Sequence, residues 1–583
     1  MAIFFNNFFY SQVLYKINEI LNKNEKKSLL ILVIFVLVGM IFEVAGLGIL
    51  IPLISIIIKP DFIIDNKFFL DIFYLSDFNR FELIIIILGL VLIFYVFKFV
   101  FVSYLSYKQN RFLSNLNASV TKRLFKAYLN QHYSFFLKKK SSNIIKIIQV
   151  ETSYFNSVCT GVITLVVEGL LFTAVLITMI IIDPYATIIS SISIIFFSYL
   201  LSNFLKKRLT TLGIERSLLD ENLNMHTIQS FEGIRDLKIF GIENLSSSIF
   251  DRIISKKALI LSKHNTYSQF PRFFLEFITV VGLIGFILTQ LILGNSTNDI
   301  LTTLGIFVAA TFRLIPSVNK ILVSLQNVRF YTPSINSIVE ELNSFENLQF
   351  EPGNNNTFSI ENNIKINDLS FRYDTNKPWI FKNINLNINQ GEVIGIIGKS
   401  GTGKSTLVDL ISGLISPCSG NIECNGNLIS DSLEFWKNNL GYVSQNIFLL
   451  EGTIAENIAI GIPNNEINLE KIQSVIKQAK IDDFINSLDL GLQTEIHHNG
   501  KEFSGGQIKR IALARALYKN PRLIILDETT SALDSETEKI ILNTIMSVKN
   551  DKFVFIVTHN NESFSLFDRL YEISEQKLKK IIL

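Results

Sequence analysis

The sequence is short of cysteine and of net charge, and each shortage excludes a class of function. Its three cysteines, Cys159, Cys418 and Cys424, are too few and too badly spaced for a disulfide framework or a zinc site, and nothing in them reports an oxidising compartment. A net charge of only +3 on 583 residues argues against nucleic-acid binding, which calls for a basic domain. The opening stretch, Met1 to Lys27, lacks a cleavage-site pattern. Its Phe and Tyr residues interspersed with Asn predict an interfacial N-terminal helix over 1–27 rather than a signal peptide.

What the chain does have is apolar length. With 49% hydrophobic residues and a mean hydropathy of +0.36, it predicts a membrane domain joined to a soluble one. Runs long enough to cross a bilayer, about 20 residues at 1.5 Å rise, fall near 29–57, 83–106, 158–182, 185–205, 273–293 and 300–325. Only Asp183-Pro184 separates the third from the fourth, so these two form a helical hairpin. Basic residues cluster between spans two and three (Lys108, Arg111, Lys122, Arg123, Lys126, Lys138, Lys139, Lys140, Lys146) and between spans four and five (Lys206, Lys207, Arg208, Lys256, Lys257). By the positive-inside rule these segments face the cytoplasm, as do both termini. The expected layout is a six-helix transmembrane domain over 28–330, a linker over 331–363 that includes Pro352-Gly353-Asn354-Asn355-Asn356, and a second domain over 364–583.

The second domain carries a phosphate-binding motif. Gly398-Lys399-Ser400-Gly401-Thr402-Gly403-Lys404-Ser405-Thr406 matches G-x-x-x-x-G-K-[ST] directly after the apolar run Val393 to Ile397, so strand, glycine loop and helix start follow in the order a P-loop needs. The glycines let successive N–H groups point at phosphate oxygens, Lys404 neutralises β/γ charge, and the Ser405 hydroxyl can ligate Mg²⁺. Downstream, Leu523-Ile524-Ile525-Leu526-Asp527-Glu528 reads as a buried parallel strand ending in two acids at the edge where ligands of α/β sheets bind. There Asp527 would hold Mg²⁺ and Glu528 would polarise an attacking water.

With Phe503-Ser504-Gly505-Gly506-Gln507 between these two motifs, the region from about Ile364 onward resembles the ATPase domain of an ABC (ATP-binding cassette) transporter. The resemblance implies that Tyr373 stacks on adenine, that Gln445 senses Mg²⁺ and the membrane domain, that Ser531-Ala532-Leu533-Asp534 is the D-loop, and that His559 is the γ-phosphate switch. It also implies that Ser504, Gly505, Gly506 and Gln507 read the ATP held by a second copy, so that a homodimer with two hydrolytic sites is the simplest assembly. Taken singly, Tyr373 also fits a half-buried strand aromatic, Gln445 a loop amide and His559 a strand-end histidine. The chain departs from the family at Phe503, where Leu is usual, at Thr529-Thr530, where Ala-Thr is common, and at Ile496-His497-His498-Asn499-Gly500, which lacks the usual acid. Metal binding by His497 and His498 is the alternative use of that segment.

Six spans followed by one ATPase domain resembles an ABC exporter half-transporter (type IV, or type I exporter, fold), with membrane helices continuing into the cytoplasm and carrying short coupling helices. Glu43, Lys98, Glu168, Glu276 and Arg313 fall inside apolar runs, with Arg272 at the lip of the fifth. A charge at mid-bilayer costs about 2.5–3.5 kcal/mol unless paired or facing water. Either these residues pair with one another, or Lys98, Arg272 and Arg313 line a cavity for an anionic substrate.

The stretches Pro271-Arg272-Phe273-Phe274-Leu275-Glu276, Phe312-Arg313-Leu314-Ile315-Pro316-Ser317 and Glu43 to Pro52 are similar to those of flippases that turn over lipid-linked oligosaccharides for bacterial protein N-glycosylation. That likeness runs from about residue 28 to the end and is weaker in the membrane half. It implies an ATP-driven flippase of the bacterial inner membrane, moving a polyprenyl-pyrophosphate-linked glycan. Asn66 to Leu75 would then be either the external helix that handles the lipid tail or a simple anchor. The rival expectation is an efflux pump for drugs, lipids or peptides. Self-processing peptide exporters are not expected, because the residues before the first span contain no Cys for an upstream protease domain.

Overall fold

The computed structural model describes residues 8–58, 80–182, 184–292, 297–346, 357–497, 500, 502–528, 535–559 and 561–581, and certain side chains, including those of 50–58, 181–190 and 297–313, also lie outside the described set. The chain folds as two compact units, residues 1–131 and 135–349 in one, 132–134 and 350–583 in the other.

The first unit is helical: α1 (Phe8–Ile20), α2 (Lys23–Ile58), α3 (Arg80–Leu129), α4 (Thr152–Ile182), α5 (Pro184–Glu232), α6 (Glu243–Ile292) and α7 (Thr297–Glu346). Each of α2 to α7 carries one of the expected apolar runs. Among the described residues, Lys23–Gly46, Leu88–Leu129 and Ser141–Thr178 are long and apolar enough to cross a membrane. Helices α3, α6 and α7 have 50 residues each, about 75 Å at 1.5 Å per residue. A hydrocarbon core of about 30 Å cannot contain them, so their polar halves extend beyond it. Short helices Tyr133–Lys138 and Ile234–Phe240 lie between the long ones.

One boundary differs from the sequence expectation. Helix α7 continues to Glu346, through the first half of the expected 331–363 linker, because Ile335, Ile338 and Val339 repeat at helical spacing and are buried. Helix α1 lies within the expected 1–27 helix: Val13, Ile17 and Ile20 are buried in the helical core, Leu14 and Tyr15 are exposed, and Lys16 donates to Asn336 Oδ1 at 2.8 Å. The expected external helix, Asn66 to Leu75, lies outside the described residues.

Two features lock the polar halves of these helices. Gly213 on α5 lies so close to α7 that an added Cβ would stand 2.2 Å from the Phe330 carbonyl oxygen. Nearby is a buried charge network. A π-helical turn, Lys146–Glu151, precedes α4, and its extra residue per turn sets Lys146 Nζ 3.7 Å from Glu151 Oε1. Arg216 Nη2 is 3.5 Å from Glu151 Oε2, and its Nε is 3.6 Å from Asp220 Oδ2. Lys257 on α6 closes the set on Asp220 at 2.6 Å. The Arg216 guanidinium also lies 3.8 Å from the Tyr154 ring. Removing one member would strand an uncompensated buried charge, at about 3–5 kcal/mol.

Among the described residues the second unit holds a two-stranded sheet that pairs Gly452–Thr453 with Glu495–Ile496, and two larger sheets. The antiparallel one has strand order β2-β1-β4-β5, with β1 Asn363–Phe371, β2 Phe381–Asn389, β4 Ser419–Cys424 and β5 Asn427–Leu428. The larger sheet comprises β3 (Val393–Ile397), β6 (Leu440–Val443), β7 (Leu523–Asp527), β8 (Phe553–Val557), β9 (Arg569–Ser574) and β10 (Lys577–Ile581), in the order β10-β9-β3-β8-β7-β6. All its pairings are parallel except that of the edge strand β10 with β9. Strands β7 and β8 are buried at every position, as expected of strands covered on both faces. Parallel pairing brings the carboxyl ends of five strands to one edge.

Gly213→Ala should lower the thermal midpoint of the purified protein by several degrees, since a methyl pressed on a backbone carbonyl costs about 1–3 kcal/mol or more. Gly282→Ala, where an added Cβ meets nothing within 4 Å, should leave the midpoint unchanged.

Candidate functional site

The P-loop leaves β3 at that edge and opens helix α8 (Lys404–Ile411). Gly403 stands at φ 108°, and a Cβ there would lie 2.5 Å from Ile380 Cγ2, so both conformation and space demand glycine. Lys404, only 5% exposed, reaches back along the loop and donates to the carbonyls of Gly398 (3.0 Å) and Lys399 (3.3 Å). Tyr373 is held against the same helix start, its hydroxyl 3.0 Å from Thr406 Oγ1 and its ring edge-on to Phe371.

Strand register brings the other groups to the loop. Val557 pairs with Ile396 on one side and Asp527 on the other. The next residues continue the ladder: Glu528 N donates to the Val557 carbonyl (3.0 Å) and Thr558 N to that of Ile396 (3.1 Å). Glu528 then turns left-handed, φ 48°, a strained conformation for a residue with a Cβ. Its carboxylate accepts from Gln445 Nε2 at 2.6 Å and meets His559 Nε2 at 2.9 Å and Lys404 Nζ at 3.4 Å. Gln445, Lys404, Glu528 and His559, which lie far apart in sequence, therefore meet at one carboxylate.

Asp527 is 4% exposed, and its Oδ1 is buried without a hydrogen-bond partner. Burial and the neighbouring Glu528 push its carboxyl above the usual range, opposed by the Ser405 hydroxyl and the Lys404 ammonium. An orphaned carboxylate oxygen beside a P-loop hydroxyl suits a divalent cation, which would supply the missing partner and relieve the desolvation. A further acid escaped the sequence reading. Asp409, one turn after Ser405 on α8, is pushed up to about 6 by burial and by Asp527; the i, i+4 spacing from Ser405 is the signal that could have found it.

Phe503-Ser504-Gly505-Gly506-Gln507 opens helix α9 (Gly505–Tyr518). Ser504 and Gln507 form a reciprocal capping box: Gln507 N donates to Ser504 Oγ (3.3 Å) and Ser504 N to Gln507 Oε1 (2.8 Å). Phe503 packs edge-on to Phe484 at 5.6 Å between centroids, so the ring serves the apolar role expected of Leu. Also absent from the sequence reading is Arg515, which ties α9 to the segment after Gln445 by donating to the carbonyls of Phe448 and Asn457, each at 2.8 Å. The segment before α9 is a tight turn in which His497 N donates to Glu502 Oε1 (2.8 Å). His497 Nε2 is 3.6 Å from Glu495 Oε2, and no group of three metal-ligating side chains occurs among the described residues. His498 and the D-loop residues Ser531 to Asp534 lie outside them.

In the helical unit the three cations singled out from sequence fare differently. Lys98 is paired with Glu43 at 2.9 Å, with both side chains mostly buried, which is the pairing alternative rather than a free cavity cation. Arg272 is exposed and, among the described residues, pairs along its own helix with Glu276 at 3.0 Å. The side chain of Arg313 lies outside the described residues. Glu168 is paired with Lys320 at 2.6 Å, a partner beyond the sequence's list of intramembrane charges.

The Asp409 shift sets a pH dependence. A carboxyl raised from 3.8 to about 6 on folding contributes stability that is complete below about pH 4 and lost as pH rises through about 6. Asp409→Asn, which keeps the neutral form, should therefore raise the unfolding midpoint at pH 7.5 by roughly 2–4 °C. That corresponds to about 1 kcal/mol after discounting for the half-exposed position. The gain should shrink steadily down to pH 5, read by calorimetry without nucleotide.

Comparison with known proteins agrees with both units. Residues 29–313 match the ABC transporter transmembrane region and 381–531 the ABC transporter domain. The chain is 30% identical over 418 residues to YgaD of Bacillus subtilis, named for multidrug export as an ATP-binding/permease protein, covering 71% of each chain. It is 26% identical over 479 residues to the ATP-dependent lipid A-core flippase of Ralstonia nicotianae, covering 80% of this chain and 78% of that one. The leukotoxin export ATP-binding protein LtxB of Aggregatibacter actinomycetemcomitans is 40% identical over 225 residues, and there the match spans only 32% of the relative's length. In fold, the chain superimposes on a bacterial Atm1-family ABC exporter with ATP bound, at a TM-score of 0.77 and 20% identity, covering 95% of this chain and 94% of that one. With its helical membrane region followed by an ATP-binding domain on one chain, the protein belongs to the ABC transporters, as an exporter half-transporter whose ATPase is coupled to transport.

Proposed function

We propose that two copies of this chain form an ATP-driven flippase that carries a polyprenyl-pyrophosphate-linked oligosaccharide, or a related glycolipid, from the cytoplasmic to the external leaflet of a bacterial inner membrane. The observation that carries the reading is the exposed cation Arg272 at the lip of an apolar run, in a chain related to a lipid flippase over most of its length. An exposed guanidinium there suits a pyrophosphate. In this reading the membrane domain spans 28–330, the ATPase domain begins near 364, and both termini are cytoplasmic.

In the ATP site, the P-loop residues Gly398 to Thr406 cradle the phosphates and Tyr373 faces the adenine. Ser405, Asp527 and Gln445 are the groups that would hold Mg²⁺, which supplies charge neutralisation at the β- and γ-phosphates. Glu528 accepts the proton of the attacking water, and His559 orients that carboxylate and reaches the γ-phosphate. Ser504, Gly505, Gly506 and Gln507 present the N-terminus of α9 to the nucleotide of the other copy, whose D-loop Asp534 completes the seam. The capping box keeps the first N–H groups of α9 ordered for an anion.

A second reading, drug efflux, is favoured by two observations: the likeness to YgaD and the engagement of Lys98 by Glu43, which removes one cation from any anion site. Drug-stimulated ATPase activity with indifference to polyprenyl-pyrophosphate glycans would decide for efflux.

In proteoliposomes, Glu528→Gln should lower ATP hydrolysis by at least about 100-fold, the contribution of a general base, and stop glycolipid flipping; undiminished flipping would remove hydrolysis from the mechanism. Arg272→Ala should raise the half-saturating glycolipid concentration by about tenfold, the worth of one charge-assisted contact. Lys98→Met should instead lower the unfolding midpoint, with recovery in the Glu43→Gln, Lys98→Met double variant, because a paired lysine acts on the fold.

A further inference from the structure

Between α4, α6 and α7 lies a cavity of about 510 Å³ whose lining none of the roles above uses. No Asp, Glu, Lys or Arg lines it, and Val323 is its sole aliphatic side chain among the described residues. The remainder is hydroxyl and amide, with two rings, His264 and Tyr331. Burial pushes the His264 imidazole down to about 4, so this ring too is uncharged near neutral pH. Drug-sized pockets are predominantly apolar and anion sites are cationic. This cavity is neither.

The hydrogen-bond polarity of its wall is more informative. The Thr160 hydroxyl donates to the Asn156 carbonyl (2.9 Å), Thr164 to that of Thr160 (2.9 Å) and Ser268 to that of His264 (3.0 Å). Each hydroxyl proton is therefore committed to its own helix, and each oxygen turns lone pairs outward. Asn156 Oδ1 and His264 Nε2 are buried without a hydrogen-bond partner. A wall of neutral hydroxyls and amides gives a phosphate no charged partner and suits O–H groups, which both donate and accept. Ligand hydroxyls, which can donate or accept, would meet the lone pairs of the committed hydroxyls and the amides of Asn265 and Asn327. Tyr331 is stacked on Tyr154 at 4.9 Å and His264 on Phe330 at 3.9 Å, so one face of each ring is already taken and a C–H surface would meet the other. Ser268 and Arg272 lie one helical turn apart on α6, with Cβ atoms roughly 5–6 Å from each other. The exposed Arg272 thus stands one turn beyond the cavity wall on the same helix.

We propose that this cavity binds neutral sugar residues through their hydroxyl groups. Resting on the flippase reading, these are the sugars of the cargo, with the anionic linkage toward Arg272.

The test uses the full-length protein in detergent and free N,N′-diacetylchitobiose as probe, with binding read by saturation-transfer NMR and calorimetry. The variants are Asn156→Leu, which removes the orphaned acceptor, and Thr160→Trp, which fills the cavity from an exposed position. An unchanged unfolding midpoint shows that each is folded. The expected result is sugar binding that weakens at least tenfold in either variant and is not displaced by inorganic pyrophosphate. No sugar binding to the unsubstituted protein, binding unaffected by both variants, or displacement by pyrophosphate overturns the proposal. Glycolipid flipping in proteoliposomes is scored separately. Sugar binding that the variants lose, with no flipping by the unsubstituted protein, sinks the flippase reading alone; flipping by the unsubstituted protein that both variants leave intact, with no sugar bound, sinks the cavity assignment alone.

Discussion

The ATP site depends on one constraint, the parallel register of three neighbouring strands. Because Val557 pairs with Ile396 and with Asp527, the chain must leave all three strands at the same level. The P-loop, the Asp527-Glu528 pair and His559 therefore emerge side by side. A slip of one residue would turn Asp527 to the opposite face of the sheet and take its carboxylate from Ser405. The left-handed turn at Glu528 follows from the same register: its N–H is still held in the ladder by Val557 while its side chain must reach Gln445, His559 and Lys404. The rigid ladder sustains that strain, and three donors on one carboxylate offset it.

The helical unit is governed by another economy, the need to neutralise charge wherever helices pack. Glu43 with Lys98 and Glu168 with Lys320 remove four charges from apolar surroundings. The Lys146, Glu151, Arg216, Asp220 and Lys257 network does the same between the polar halves of the helices. Arg272 contrasts with these in being exposed, with only a weak partner one turn along its own helix. It stands one helical turn beyond Ser268 of the neutral, polar-lined cavity, and the proposed sharing of a cargo between a charge on one turn of α6 and hydroxyl contacts on the turn before rests on that spacing.

Much of this was legible in the residues. Apolar runs located the long helices, and the P-loop, the Ser504 pentapeptide and the Asp527-Glu528 strand end located the ATP-binding domain, since each needs a particular residue type at a particular spacing. Where a signal could be read two ways, the nearer alternative was not always the one realised. The apolar residues of α1 divide between the core, which takes Val13, Ile17 and Ile20, and the exposed Leu14 and Tyr15, a split that packing alone decides. Residues 331–346 followed the last apolar run and looked like the start of a linker, yet their buried positions keep helical spacing. Asp409 and Arg515 carry no motif, and only their neighbours across the fold give them meaning.

By itself the sequence determined local chemistry: where backbone must curl around phosphate, where a helix can exceed a bilayer, and which side chains can carry charge. These follow from covalent geometry and from transfer free energies, which act residue by residue. Tertiary structure alone decided which charges are consumed by partners, which carboxylate collects Gln445, His559 and Lys404, and which hydroxyls face a common cavity. Those outcomes depend on distances between residues from 31 to 152 positions apart and beyond, and distance is a property of the fold rather than of the string.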